Sequence, residues 1–271
     1  MSIRDGILLL QIIKKTGEKI KKLYNSNKFC DILHVERGIT AVTGSGGKTS
    51  LIGKLCSELT EKGSVLFTTT THILRPVDMP VTDSAAETAA AFARLKAEGA
   101  RSLVCAGRCA ADNPRKLSAP TASMDELAAL ADFVLAEADG SKMLPIKAHR
   151  DYEPVIPKGS NSVILVVGLS GIGGKVSEKV HRVEEFGALT GALADDTVTT
   201  ASVAKGIAAE LGIYVGYNLK IYLNQTDIPG GRKLAEELAD KLARAVSERG
   251  AVMPENSIYA GSLTEGYIYG L

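Results

Sequence analysis

The sequence predicts an α/β protein: a mostly parallel sheet with helices on both faces, preceded by an N-terminal helical extension. Two observations carry that expectation. After Arg37, short β-branched runs alternate with helical stretches, and glycine-rich turns fall between them. The 271 residues are 45% hydrophobic with a net charge of +1, which supplies a large core and excludes disorder as the dominant state. The expected division is residues 1–36 for the extension and residues 37–271 for the main domain.

Ser2 to Lys28 reads as a helix, because Ile7, Leu10, Ile13 and Ile20 recur near helical spacing. Lys14, Lys15, Lys19, Lys21, Lys22 and Lys28 crowd its second half, as on a docked helix with a solvated lysine face. A basic helix for a membrane surface or partner is the alternative. In the main domain, Ile39–Thr43 reads as a strand, Thr49–Lys62 as a helix with Leu51, Leu55 and Leu59 on one face, and Val65–Thr71 as a strand. Ser84–Glu98 is Ala-rich and helical, and Ser102–Ala106 is a strand. Ser123 with Glu126 forms the signature of a capping box for a helix reaching Ala131. Phe133–Ala136, Val163–Gly168, Lys220–Leu223 and Ser257–Ala260 read as further strands, with a helix from Arg232 to Ser247 before the last.

Composition narrows the function. A near-neutral charge gives no general field for nucleic acid, and the absence of Trp with 5% aromatics argues against a single-strand stacking platform. The apolar run Gly6–Ile13 is far shorter than the ~20 residues of a membrane span. It follows Asp5 and lacks a small-residue cleavage site, so no signal peptide is expected and the expected location is cytoplasmic. Cys30, Cys56, Cys105 and Cys109 form no C-x-x-C pair and read as idle thiols.

The strongest chemical signal is Gly44-Ser45-Gly46-Gly47-Lys48-Thr49-Ser50, placed between a strand and a helix. Its glycines let backbone N–H groups approach a polyphosphate, and the helix start adds its positive dipole end. Lys48 would reach the β- and γ-phosphates, and the Thr49 hydroxyl would coordinate Mg²⁺. Val42 stands where the standard spacing places its first glycine, so this is the shorter G-[ST]-x-G-K-[ST] form. That form is similar to the ATP loop of Mur-type ligases, although this length leaves little room for a ligase's further substrate domains.

Phe133–Ala136 runs into Glu137 and Asp139, which alternation would point to one side. A carboxylate at such a strand end binds Mg²⁺ or orients an attacking nucleophile, with Glu137 ahead of Asp139. Thr68–Thr71 with His72 ends another strand, where Thr70 and His72 are candidate contacts to a γ-phosphate or substrate. Ordinary β-propensity with a surface His is the competing reading. Asn224-Gln225-Thr226-Asp227 follows a further strand and is similar to the N-K-x-D loop that reads guanine in GTP-binding proteins. An ordinary polar loop before Pro229-Gly230 is the alternative there, so both ATP and GTP stay open as ligands.

These motifs occur together in one order. With T-T-T-H at 69–72, A-E-A-D-G-S at 136–141, Leu144–Ala148, Glu153–Pro157, Val180–Arg182 and Leu223–Asp227, the chain resembles the YqeC family over about residues 35–265. Members of that family are described as accessory proteins of selenium-dependent molybdenum hydroxylases. The resemblance implies a P-loop NTPase-like fold and a place in the maturation of such enzymes or in selenium-cofactor handling. Lys142, Lys147, His149 and Arg150 follow the acidic strand end and would receive a small anionic substrate, while Arg182 would stabilise phosphoryl charge. Surface charge is the plain alternative for each. Two functions compete: a Mg²⁺-dependent NTP hydrolase or phosphotransferase, and a nucleotide-gated assembly factor that docks on a client molybdenum hydroxylase.

Overall fold

The computed structural model describes residues 28–110 and 113–271, so the expected lysine-rich helix lies outside the described residues. The described chain begins with α1 (Phe29–Ile32), β1 (Gly38–Gly44), α2 (Lys48–Leu59), β2 (Val65–Thr69), β3 (His72–Leu74), β4 (Val81–Thr82) and α3 (Ala85–Ala97). There follow β5 (Leu103–Ala106), β6 (Arg108–Ala110), β7 (Asn113–Ser118), α4 (Met124–Ala128), β8 (Phe133–Glu137), β9 (Ile146–Lys147) and β10 (Ser160–Gly168). The chain closes with α5 (Val176–Lys179), β11 (Val180–His181), α6 (Val183–Thr190), α7 (Thr200–Glu210), β12 (Asn218–Asn224), α8 (Gly231–Ser247), β13 (Ile258–Ser262) and β14 (Tyr267–Gly270).

Among the described residues, nine strands form one sheet in the order β14-β13-β12-β10-β1-β8-β2-β5-β4. Every pairing is parallel except that of β13 with the terminal strand β14. Strand alternation sorts its two faces. Val163, Leu165 and Val167 of β10 pack with Val203 of α7 and Leu238 of α8. Ile164 and Val166 turn the other way, onto Leu51 and Leu55 of α2. Those two leucines are fully buried, worth about 2 kcal/mol each in apolar surface removed from water. Helices therefore cover both faces, as buried parallel strands require.

Phe29 of α1 is also fully buried and meets Tyr222 of β12 edge-on, with ring centroids 5.9 Å apart. The capping box at Ser123 and Glu126 forms as expected. The strand expected over Val65–Thr71 stops at Thr69, because the Thr71 N–H is taken by the Thr69 hydroxyl at 3.0 Å. The chain then restarts as β3, which joins β7 and β6 in a small antiparallel sheet. Cys30, Cys56 and Cys105 are buried, and burial pushes the Cys56 and Cys105 thiols up to about 12, while Cys109 is exposed. No helix among the described residues is long and apolar enough to cross a membrane.

Candidate functional site

The turn between β1 and α2 is built by backbone constraint. Gly44, Gly46 and Gly47 hold φ of +86°, +80° and +131°, in the left-handed region that side chains disfavour. Space is equally tight: a Cβ on Gly44 would lie 2.2 Å from the Val166 carbonyl oxygen, and one on Gly46 would lie 2.4 Å from the Gly168 Cα. Gly44→Ala is expected to destabilise the protein by about 1–3 kcal/mol or more, read as a lowered denaturation midpoint; an unchanged midpoint would contradict this geometry. The Ser45 N–H donates to the Val166 carbonyl at 2.8 Å, and the Ser45 hydroxyl donates to the Leu144 carbonyl. These bonds fix the turn against β10 and against the chain just before β9. α2 starts at Lys48, and its N-cap Gly47 has no side chain to bond the first-turn N–H groups.

Lys48 is buried, at 4% exposure, which is costly for an ammonium unless it is paired. Its Nζ donates to the Gly44 carbonyl at 2.7 Å and to the Ser141 hydroxyl at 3.2 Å. The same Nζ lies 3.1 Å from Asp139 Oδ1 and 3.9 Å from Glu137 Oε1. β8 delivers both carboxylates: Glu137 ends the strand, and the Ala138 N–H still bonds the Val42 carbonyl of β1 at 3.0 Å. The Thr49 hydroxyl, on the exposed side, donates to Glu137 Oε2 at 2.9 Å. Burial raises the Glu137 carboxyl above its ordinary range, against the opposing pull of Lys48 and Thr49.

Asp139 is fully buried and holds a second network. Its Oδ2 accepts from the Gly44 N–H at 2.8 Å and bonds His149 Nε2 at 2.8 Å. His149 Nδ1 bonds Glu210 Oε2 at 2.8 Å, and the His149 backbone N–H donates to Glu210 Oε1 at 2.6 Å. Asp139 Oδ1 makes the ion-pair contact to Lys48 but no hydrogen bond. Burial opposes the Asp139 charge, yet Lys48, His149 and Lys147 outweigh it and hold the carboxyl at about 2. Burial likewise opposes the imidazolium of His149, and the two carboxylates outweigh it and raise His149 above its ordinary value.

Apart from Lys142, the expected basic residues are paired with nearby carboxylates. The Lys147 side chain is fully buried, donates to the Gly140 carbonyl at 2.7 Å and lies 3.3 Å from Glu153. Arg182 makes a two-pronged contact to Glu153 at 3.0 and 3.1 Å. Arg150 pairs with Glu185 at 2.5 Å. Lys142 is exposed. Burial, then the Lys147 and Arg182 cations, push His181 down to about 4 and keep it neutral. The structure thus brings none of these residues to the glycine turn except through Asp139. Thr70 donates to the Val155 carbonyl at 2.8 Å, and His72 is exposed on β3. Ser50 is exposed on α2, beside Thr49.

On the other side of the turn, Asn224 ends β12 and is buried, and its Nδ2 donates to the Gly46 carbonyl at 2.8 Å. Asp227, three residues on, is exposed. Sequence reasoning placed Glu137, Asp139 and Asn224 but missed Ser141 and Glu210. Ser141 follows Asp139 closely and was open to inference; Glu210 has no sequence signal at all. Among the described residues no group of three or more His, Cys, Asp and Glu side chains is arranged to hold a metal ion. Thr49 and Glu137 supply one hydroxyl and one carboxylate, the kind of oxygen donors that Mg²⁺ takes.

Two comparisons with known proteins bear on the family of this chain. The chain is 36% identical over 174 residues to a protein of Escherichia coli strain K12 named uncharacterized protein YqeC. That similarity covers 59% of this chain and 63% of the relative, so less than two thirds of the relative's length is spanned. No solved structure matches. A family model described as YqeC protein matches residues 40–184, just over half of the chain, from β1 through the glycine turn and both carboxylates to Arg182. On that match the chain belongs to the YqeC family.

Proposed function

We propose that this chain is a magnesium-dependent, nucleoside-triphosphate-binding protein of P-loop NTPase type, an NTP hydrolase or phosphotransferase. Its setting would be the one that the family resemblance implies, the maturation of selenium-dependent molybdenum hydroxylases or the handling of their selenium. The observation that carries the reading is the Lys48 ammonium, set at the start of α2 inside a turn of three positive-φ glycines and held between two carboxylates. A turn of positive-φ glycines leading into an uncapped helix start favours a polyanion at that point.

In this reading Lys48 binds the β- and γ-phosphate oxygens, exchanging its contacts to Glu137 and Ser141 for theirs. Asp139 stays in place, because Gly44, His149 and Lys147 continue to compensate its charge. That commits Asp139 to holding the turn and leaves the orientation of an attacking group to Glu137. A magnesium ion held by Thr49, Glu137 and the phosphates would neutralise charge as a Lewis acid.

The assembly-factor reading draws support from a specific feature. Arg182 and Arg150 are engaged by Glu153 and Glu185, so neither supplies transition-state charge without breaking a pair. Intrinsic turnover would then be slow, with docking on a client as the output. Calorimetric titration with and without magnesium tests the proposal. Wild-type protein is expected to need the metal for full triphosphate affinity, and Glu137→Gln is expected to lose most of that dependence. An identical magnesium dependence in both proteins would contradict the assignment of Glu137.

A further inference from the structure

We propose that the site reads guanine, with the Asp227 carboxylate accepting both the N1–H and the exocyclic N2 amine of the base. The inference rests on the triphosphate reading above and adds the identity of the base to it.

Sheet order supplies the placement. β10 alone separates β1 from β12, and β13 lies next to β12, all four strands running parallel. The turns after β1, β12 and β13 therefore leave the same edge of the sheet side by side, the edge where open α/β sheets bind ligands. They also touch. Asn224 Nδ2 donates to the Gly46 carbonyl at 2.8 Å, and Asn224 Oδ1 accepts from the Leu263 N–H at 3.3 Å. A Cβ on Gly47 would sit 2.4 Å from Asn224 Nδ2 and 3.4 Å from a Leu263 methyl. A triphosphate seated on the glycine turn would thus have its nucleoside end directed along this seam.

The loop that carries Asp227 is braced by hydrogen bonds on both sides. Gln225 takes a left-handed φ of +75°, and its Oε1 accepts from the Ser170 N–H at 3.1 Å. The Thr226 N–H donates to the Gly261 carbonyl at 3.1 Å, and its hydroxyl shares a hydrogen bond with Tyr267 at 2.8 Å. Gln225 is therefore engaged through its Oε1 with the chain after β10. Asp227, in contrast, is exposed and makes no hydrogen bond or ion pair with the described residues. Every acid around the glycine turn is paired; the one on this braced loop is left to accept.

A carboxylate offers two acceptors and no donor. Guanine presents two adjacent donors, N1–H and the N2 amine, and satisfies both oxygens. Adenine presents a bare N1 acceptor with no amine beside it, placing lone pairs against lone pairs. Cytosine offers one donor beside an acceptor, and uracil one donor between two carbonyls. A site built to hydrogen-bond a group rejects analogues lacking it by large factors, because its own polar atoms are left unpaired. Replacing Asp227 by Asn turns one acceptor into a donor. The amide then matches xanthine, which has N1–H beside a C2 carbonyl.

The test is the affinity of the full chain for magnesium complexes of GTP, ATP and XTP, in wild type and Asp227→Asn. Wild type is expected to favour GTP over ATP by about 100-fold or more. Asp227→Asn is expected to lose GTP affinity by a similar factor and to gain XTP, with some gain of ATP because the new amide N–H can meet adenine N1; no folding defect would produce such gains. Equal wild-type affinity for GTP and ATP, or no change of base preference in the variant, overturns the guanine assignment and leaves triphosphate binding intact. Absence of binding to all three overturns both.

Discussion

Replacing Lys48 with alanine is expected to lower triphosphate affinity by about 100-fold or more, the loss of roughly 3 kcal/mol of charge-assisted contacts. The effect exceeds that of an ordinary surface lysine because this ammonium is almost fully buried and its neighbours are negative. Without it, Glu137 and Asp139 would face the phosphates directly. The variant also leaves Asp139 with one cation fewer, so a modest loss of stability is expected beside the loss of binding. Calorimetry against both GTP and ATP, with circular dichroism to confirm folding, checks the result. A folded Lys48→Ala protein with wild-type affinity would remove Lys48 from the site.

The second large effect concerns His149. Its ring bridges the buried carboxylate of Asp139 and the partly buried one of Glu210, at 2.8 Å each. His149→Ala leaves both without their shared partner, at an expected cost of about 3–5 kcal/mol in unfolding free energy measured by denaturant titration. Stability should also depend on pH with a defined sign. Asp139 is held at about 2, below its ordinary 3.8, so its contribution is present above pH 3.8 and is lost as pH falls toward 2. His149 is raised above its ordinary 6.5, so its contribution is complete below that pH and is lost as pH rises through its folded value. The pair is therefore most stabilising between those two limits. His149→Ala should remove the alkaline decline, and a variant that keeps it would contradict the bridge.

Much of this site is legible in the sequence because its parts are local. The strand, the glycine turn and α2 are consecutive, so Lys48 and Thr49 follow from one stretch of chain. Alternation along β8 brings Glu137 and Asp139 to one side, and the structure carries Asp139 there with a single further ladder bond at Ala138. The bridge to Glu210 was not legible. It joins residues 61 apart in sequence, and its far end is set by α7, whose helical pattern is weak. α7 carries Thr200, Ser202 and Gly206, all poor helix formers, and a Cβ on Gly206 would lie 3.5 Å from the Phe186 ring of α6. That contact is an ordinary one, so the weak pattern lies in the helix propensities themselves.

The cationic cluster shows the opposite limit. Charge signs are readable from the chain, but partners are not. Lys147 and Arg182 look available in sequence and are held by Glu153 in three dimensions. The edge strand β14 escaped for a related reason. It is four residues long and owes its place to pairing with β13 across the turn at Gly266.

The most direct measurement is the response of backbone amides by nuclear magnetic resonance when magnesium nucleotide is added. The expected result is a set of saturable shifts centred on Gly44, Gly46, Gly47, Lys48 and Thr49, weakened when magnesium is chelated. Shifts that spare this turn, or a spectrum that does not change at all, would contradict the account.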